Sequence, residues 1–338
     1  MPRGDFFMAK IFKDISKAGK DRQWRERKLQ AIKYGQALEQ LGVRRFRDTY
    51  TCANLLTYGQ KADGGLHLKQ AFFCQQKLCP ICSWRRSMKN GTRNSQIVEE
   101  ALKREPKARF VFLTLSARNV RTGEELNQAM SKLTAGFNRL FRRAKVKKNL
   151  LGFIRATEVT VSDDPDMPEW QGSYNQHMHV LMMVRPNYFG DTENYIPQAQ
   201  WVSMWKQSLK ADYEPVVDVR IVKPKKAGGD TRSAVLETSK YPVKPIQFDL
   251  TPDTLKATQD LLTGLHRKRQ LAYGGLLKEI KKELFGEDKP EDQQDLVHVD
   301  EETGEILDGE DVVAAWDWQR RNYYIQHGEI IATEVGGK

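Results

Sequence analysis

The stretch "YNQHMHVLMMV", residues 174–184, sets His177 and His179 two positions apart in an apolar run. Positions i and i+2 of a β-strand project from one face, so both imidazoles point one way while Met178, Val180, Met182 and Val184 pack the other. Such a pair is either a satisfied interior feature or a binding site. The preceding strand-like stretch, "GFIRATEVTVS" (152–162), carries Glu158 among apolar and β-branched residues, where an unpaired carboxylate is costly. If the two stretches pair, Glu158 joins the histidines on one face. Two imidazoles and a carboxylate make a three-ligand site with open positions, the mark of a catalytic rather than a structural cation. Mixed nitrogen and oxygen ligation suits Mn²⁺ well and Mg²⁺ acceptably. Zinc hydrolases of the amidohydrolase type also use H-x-H, but with further His and Asp ligands, and His67, His266, His298 and His327 sit in no comparable setting.

A second constellation is Cys52, Cys74, Cys79 and Cys82, spaced C-x21-C-x4-C-x2-C and ending in "CPIC". Two thiolates two residues apart reach one ion from a knuckle turn, and four complete the closed tetrahedral shell of structural Zn²⁺. A redox C-x-x-C would leave Cys52 and Cys74 unexplained. Arg85 and Arg86 follow directly in "CSWRRS" and are expected on a rigid platform facing phosphate. A third stretch, "SAVLETSKYPVKP" (233–245), places Glu237 and Tyr241 four apart, one helical turn on one face. Pro242 disfavours α conformation at Tyr241, which should therefore end the helix with its ring projecting. Lys240 and Lys244 surround it with positive charge that would help a phenol react as phenolate. By itself E-x3-Y is more often a packing tyrosine beside a surface glutamate, because the spacing is common in helices.

The elements that must position these residues follow from periodicity. Strands are expected at 109–118 ("RFVFLTLSAR"), 152–162, 174–184 and 216–222, the second and third close enough to pair as a hairpin. Helices are expected at 13–41, 87–105, 122–146 (amphipathic through Leu126, Met130, Leu133, Phe137, Leu140 and Phe141), about 198–211, 231–241 and from Thr251, which caps a helix with Pro at its first position. The order implies an α+β fold, a central antiparallel sheet with helices on one face. The expected domains are a basic helical region (1–48), a zinc-binding region (49–100), a catalytic domain (101–250), C-terminal helices (251–285) and an acidic tail (286–338) in which "VVAAWDWQRRNYYI" forms a terminal helix.

The formal charge is +11 over 338 residues, but residues 286–338 hold 15 acidic against 4 basic side chains, so the first 285 carry a net +22. Such a polycation suits a polyanion, and nucleic acid is the commonest. No stretch approaches the ~18 apolar residues of a membrane span, and the N-terminus carries charges where a signal peptide needs an apolar segment. A soluble cytoplasmic protein with no membrane partner is expected.

In order along the chain, "FCQQKLCPICSWRRS", "FVFLTLSARN", "GFIRATEVTV", "NQHMHVLMMV" and "LETSKYPVK" resemble the replication initiators of rolling-circle plasmids, in the HUH endonuclease superfamily. The resemblance is to the group with one catalytic tyrosine, a nearby glutamate and an N-terminal zinc-binding region, and it covers roughly residues 45–285. It implies His177, His179 and Glu158 as metal ligands and Tyr241 as the nucleophile that nicks the double-strand origin, leaving a 5′-phosphotyrosyl bond and a 3′-OH primer. Glu237 would activate water for the second, terminating cleavage. The implied partners are origin DNA extruded as a hairpin or cruciform, single-stranded at the nick site, with a bacterial host's replication helicase and DNA polymerase. Lys240, Lys244, Arg85 and Arg86 are expected DNA contacts. The alternatives are a zinc-containing, non-catalytic DNA-binding regulator and a relaxase or transposase of the same superfamily.

Overall fold

The computed structural model describes residues 10–16, 19–61, 65–163, 166–190, 193–222, 235, 238–239, 247–287, 290, 293–299 and 310–329. Helices and strands are, in chain order, α1 (Trp24–Gln40), α2 (Phe46–Thr51), β1 (Leu55–Gln60), β2 (Leu66–Ala71), α3 (Pro80–Arg104), β3 (Arg109–Ser116), α4 (Gly123–Phe141), α5 (Ala144–Asn149), β4 (Leu150–Val161), β5 (Tyr174–Val184), α6 (Gln198–Leu209), β6 (Val217–Val222), α7 (Pro252–Gly264), β7 (Leu271–Gly275), α8 (Leu276–Phe285), β8 (Val312–Asp317) and β9 (Asn322–His327). Two short 3₁₀ turns flank β5. The chain divides into two units, one of residues 1–89, 247–250 and 289–338, the other of 90–246 and 251–288.

The second unit holds a five-stranded antiparallel sheet in the order β6-β3-β5-β4-β7. Alternation along the strands divides its side chains between two cores. Val111, Leu113 and Leu115 of β3 join Met178, Val180, Met182 and Val184 of β5 against Leu133, Phe137 and Leu140 of α4 and Trp201 and Trp205 of α6. On the other face Phe110, Phe112, Ile154, Leu181 and Met183 pack against Ile97, Val98 and Ala101 of α3 and Leu277 and Ile280 of α8. The sheet is therefore covered on both faces, not one, because the strands carry apolar residues at both parities. α4 begins at a capping box in which Thr122 accepts from the Glu125 backbone N–H and Glu125 answers the Thr122 N–H. Strand β7 was not expected. Its glycine Gly274 lies where Phe153 of β4 crosses, and a Cβ there would fall 2.1 Å from that ring.

The first unit departs further from expectation. Residues 312–327 form a β-hairpin, not a terminal helix: β8 pairs antiparallel with β1, and the four-stranded sheet runs β2-β1-β8-β9. Val312, Ala314 and Trp316 alternate inward, and Tyr323 donates its hydroxyl to the Ala53 carbonyl at 2.7 Å. The C-terminal strands belong to the same unit as the four cysteines. The basic N-terminal helix starts at Trp24, not at residue 13, because Gln23 has φ 54° and residues before it form bridges instead, from Ile11 to Tyr324 and Ile15 to Asp21.

Candidate functional site

β5 is the middle strand of its sheet, so its side chains meet those of both neighbours. The register sets Glu158 of β4 and Ser116 of β3 on either side of His177, and Ala156 and Thr114 on either side of His179. A directly opposed pair in an antiparallel ladder brings its Cβ atoms within about 5.5 Å. The Glu158 Oε2 accordingly lies 3.6 Å from His177 Nε2 and 3.3 Å from His179 Nε2. All three side chains are largely buried. Burial would raise the Glu158 pKa, but hydrogen bonds to His177 and His179 outweigh it and hold the carboxyl at about 2, ionised at any working pH.

The three residues fit a cation. Donors about 2.0–2.2 Å from one ion lie roughly 3.0–3.5 Å from one another, and one ligand atom from each of Glu158, His177 and His179 lies within 4.8 Å of the others. The distal nitrogens are occupied, as metal-bound imidazoles require: His177 Nδ1 meets Asn175 Oδ1 at 3.0 Å and His179 Nδ1 meets Thr114 Oγ1 at 3.2 Å. Phe112 stacks on His179 with ring centroids 5.6 Å apart, screening that side. Sequence reasoning missed Thr114 and Asn175. The signal for Asn175 was present, since it shares a strand face with His177 two residues on.

In the first unit, Cys52, Cys74, Cys79 and Cys82 converge and are fully buried. A tetrahedral shell with Zn–S of about 2.3 Å has sulfur–sulfur edges of about 3.8 Å. The Sγ separations of Cys52–Cys82, Cys74–Cys82 and Cys52–Cys79 are 3.7, 3.6 and 3.8 Å. Burial, with the neighbouring thiols, pushes the Cys52 thiol well above its ordinary value. Lys28, also unforeseen, is fully buried and donates to the Cys52 carbonyl at 2.6 Å, to the Tyr50 carbonyl at 2.8 Å and to Asn54 Oδ1 at 2.6 Å. Burial lowers its pKa to about 8 against an opposing pull from Cys52, Cys79 and Cys74. A cation here would offset the net negative charge of four thiolates were a divalent ion bound between them.

Arg85 and Arg86 do not form an exposed platform. α3 begins at Pro80 and turns both guanidiniums inward, where Arg85 donates to the Leu296 and Val297 carbonyls at 2.8 and 2.6 Å and Arg86 to the Gln75 and Gln76 carbonyls at 2.6 and 3.2 Å. Both are under 5% exposed, at 1% and 3%, which leaves no room for a phosphate. Glu237, Lys240, Tyr241 and Lys244 lie outside the described residues, as does most of the helix expected at 231–241. Just before Tyr241 in the chain, Ser239 is 2% exposed, accepts from Asn94 Nδ2 at 2.8 Å and donates to the Val235 carbonyl at 2.6 Å. Asn94 in turn accepts from the Tyr273 hydroxyl at 2.7 Å. Among the described residues no helix is long and apolar enough to cross a membrane.

Comparison with known proteins agrees with this geometry. Residues 65–324 match the family described as "Replication protein". The chain is 47% identical to "Protein rep" of Streptococcus pneumoniae serotype 2 over 94% of its own length and 96% of that protein's. It is 44% identical to "Protein rep" of Lactiplantibacillus plantarum, covering 94% of this chain and all of the relative. A "Replication protein" of Staphylococcus aureus is 47% identical over 71% of this chain and the whole of its own. No solved structure matches. The chain thus belongs to the Replication protein family, the metal-dependent nicking initiators of rolling-circle plasmid replication that its motifs resemble.

Proposed function

We propose that this chain starts plasmid replication by cutting one strand of the double-strand origin with the phenolic oxygen of Tyr241. The observation that carries the reading is the convergence of His177 Nε2 and His179 Nε2 on Glu158, a ligand set with open positions that a pure DNA-binding regulator has no need to maintain. Glu158, His177 and His179 would hold a Mn²⁺ or Mg²⁺ ion, which when bound supplies charge withdrawal from a phosphate oxygen and fixes the phosphorus for in-line attack. Tyr241 forms the new O–P bond while the bond to the 3′-oxygen breaks. The departing oxygen takes up a proton to become the 3′-OH primer, and the 5′-phosphate stays on the tyrosine. At termination Glu237 removes a proton from water, which makes the second cut without a second tyrosine. Lys240 and Lys244 contact the phosphates around the scissile bond.

Cys52, Cys74, Cys79 and Cys82 hold structural Zn²⁺ in this reading and take no part in the chemistry. The substrate strand enters unpaired, from a hairpin or cruciform, in the bacterial cytoplasm where a host helicase and DNA polymerase extend the new primer. The test is Mn²⁺-dependent nicking of a supercoiled plasmid carrying the cognate origin. Wild type is expected to convert it to open circle, and His177→Ala and Glu158→Gln to bind the plasmid without converting it. Conversion by both variants at the wild-type rate would contradict the assignment.

A further inference from the structure

The two imidazoles of the site are not held alike. His179 faces Thr114, a hydroxyl that rotates to donate or accept and so imposes no tautomer on the ring. His177 faces a primary amide, whose two ends differ, at the head of a run of side chains whose polarity can be read from its far end. Ser173 is fully buried and donates its single hydroxyl proton to the Trp170 carbonyl, which can only accept. Its oxygen must then receive, and it receives Asn119 Nδ2 at 2.8 Å. That fixes Asn119 with Oδ1 turned outward, where it accepts from Asn175 Nδ2 at 2.9 Å. Asn175 is left presenting Oδ1 to His177 Nδ1 at 3.0 Å, a contact that is favourable only when Nδ1 carries the proton. The backbone builds the same juxtaposition: an isolated bridge between Val120 and Tyr174, with N–H···O distances of 3.1 and 2.7 Å, clips the chain beyond β3 to the start of β5 and sets Asn119 beside Asn175.

We infer that Ser173, Asn119 and Asn175 are positioning residues that hold the His177 ring with Nδ1 against the Asn175 amide oxygen, so that Nε2 is the nitrogen turned to the Glu158 side of the site and the one a divalent cation would take. This rests on the metal-site reading above and assigns to three further residues the task of preparing one ligand before any ion arrives.

The test is Mn²⁺ affinity, which does not depend on nicking: Asn119→Leu, which removes the group that orients the Asn175 amide, should bind several-fold more weakly than wild type. By Mn²⁺ titration followed by electron paramagnetic resonance, Asn175→Leu should bind roughly ten-fold or more weakly than wild type, the usual range for loss of a partner behind a ligating histidine. Asn175→Asp, which still accepts from Nδ1–H, should restore affinity to within a few-fold. A purely structural role would make the Leu and Asp variants equally weak, and that result, or wild-type Mn²⁺ affinity in Asn119→Leu, would overturn the inference. If His177→Ala leaves Mn²⁺ affinity at the wild-type value, the metal-site reading fails first and takes this inference with it.

Discussion

Removing the side chain of Trp316 should destabilise the unit that holds the cysteines, although Trp316 lies over 230 residues from Cys82 in the chain. Trp316 sits on β8, only 6% exposed, with Tyr323 at 5.1 Å between ring centroids. Its indole nitrogen has no hydrogen-bond partner among the described residues, so what Trp316→Ala loses is packing. Large-to-small changes of this kind cost about 3–5 kcal/mol. A whole domain is stable by only about 5–15 kcal/mol, so the variant should lose most of the resistance of its sheet. Deleting the hairpin altogether removes Val312 and Tyr323 as well, at about 1.5–3 kcal/mol each for buried side chains of this size, and should leave the sheet unformed. The assay is the reactivity of the four buried thiols toward a chromogenic disulfide reagent during a urea titration. Wild type should keep them protected to high urea. Trp316→Ala should expose them at a clearly lower midpoint, and the truncated chain without urea. Thiols that stay protected at the wild-type midpoint in both variants would refute the claim that β8 and β9 hold the cysteine unit together.

Arg85→Ala should destabilise that unit by about 3 kcal/mol, by leaving two buried carbonyls unpaired, while the slope of log affinity for DNA against log salt stays as in wild type; a slope lower by about one would return Arg85 to phosphate contact. Asp260 is raised by burial but lowered further by Lys256, the Tyr174 hydroxyl and the Gly123 N–H, so its folded-state pKa lies below its unfolded value. Its stabilisation is complete above the unfolded pKa of about 3.9 and is lost as pH falls through the lower folded value; Asp260→Asn should therefore cost about 1–2 kcal/mol at pH 7, with the gap from wild type closing in acid urea titrations. Asn94→Leu, which removes the partner of Ser239, should slow nicking by roughly ten-fold through misplacement of the segment ahead of Tyr241 and leave Mn²⁺ affinity untouched; equal loss of both would assign Asn94 to the metal site instead.

The metal face was legible because it depends on short-range pattern. Period-two alternation in 152–162 and 174–184, with one turn-rich loop between, determined both strands and their pairing, and pairing alone brings Glu158 to His177. The cysteines were legible for a similar reason, since ligand spacing constrains chemistry before tertiary structure is known. What escaped was non-local. Residues 312–317 alternate as a strand should, yet their Ala, Gln and Arg neighbours fit a helix equally well, and only the free edge of β1 decides between them. β7 was hidden by its glycines, whose lack of side chains serves a crossing Phe153 ring and erases the periodicity. Arg85 and Arg86 were misread because position after a ligand says nothing of which way a helix turns its side chains, and here it turns them to backbone carbonyls. Lys28 and the Asn119–Asn175 relay follow from side chains meeting across different elements, which a linear pattern does not encode.

The most direct measurement is to trap the protein on a labelled single-stranded origin oligonucleotide with Mn²⁺, digest the covalent product and locate the modified peptide by mass spectrometry. A 5′-phosphonucleotide on Tyr241, absent when Mn²⁺ is withheld and absent from His179→Ala, is the predicted result. Cleavage without any protein-linked product, or a link to another residue in wild type, would contradict it.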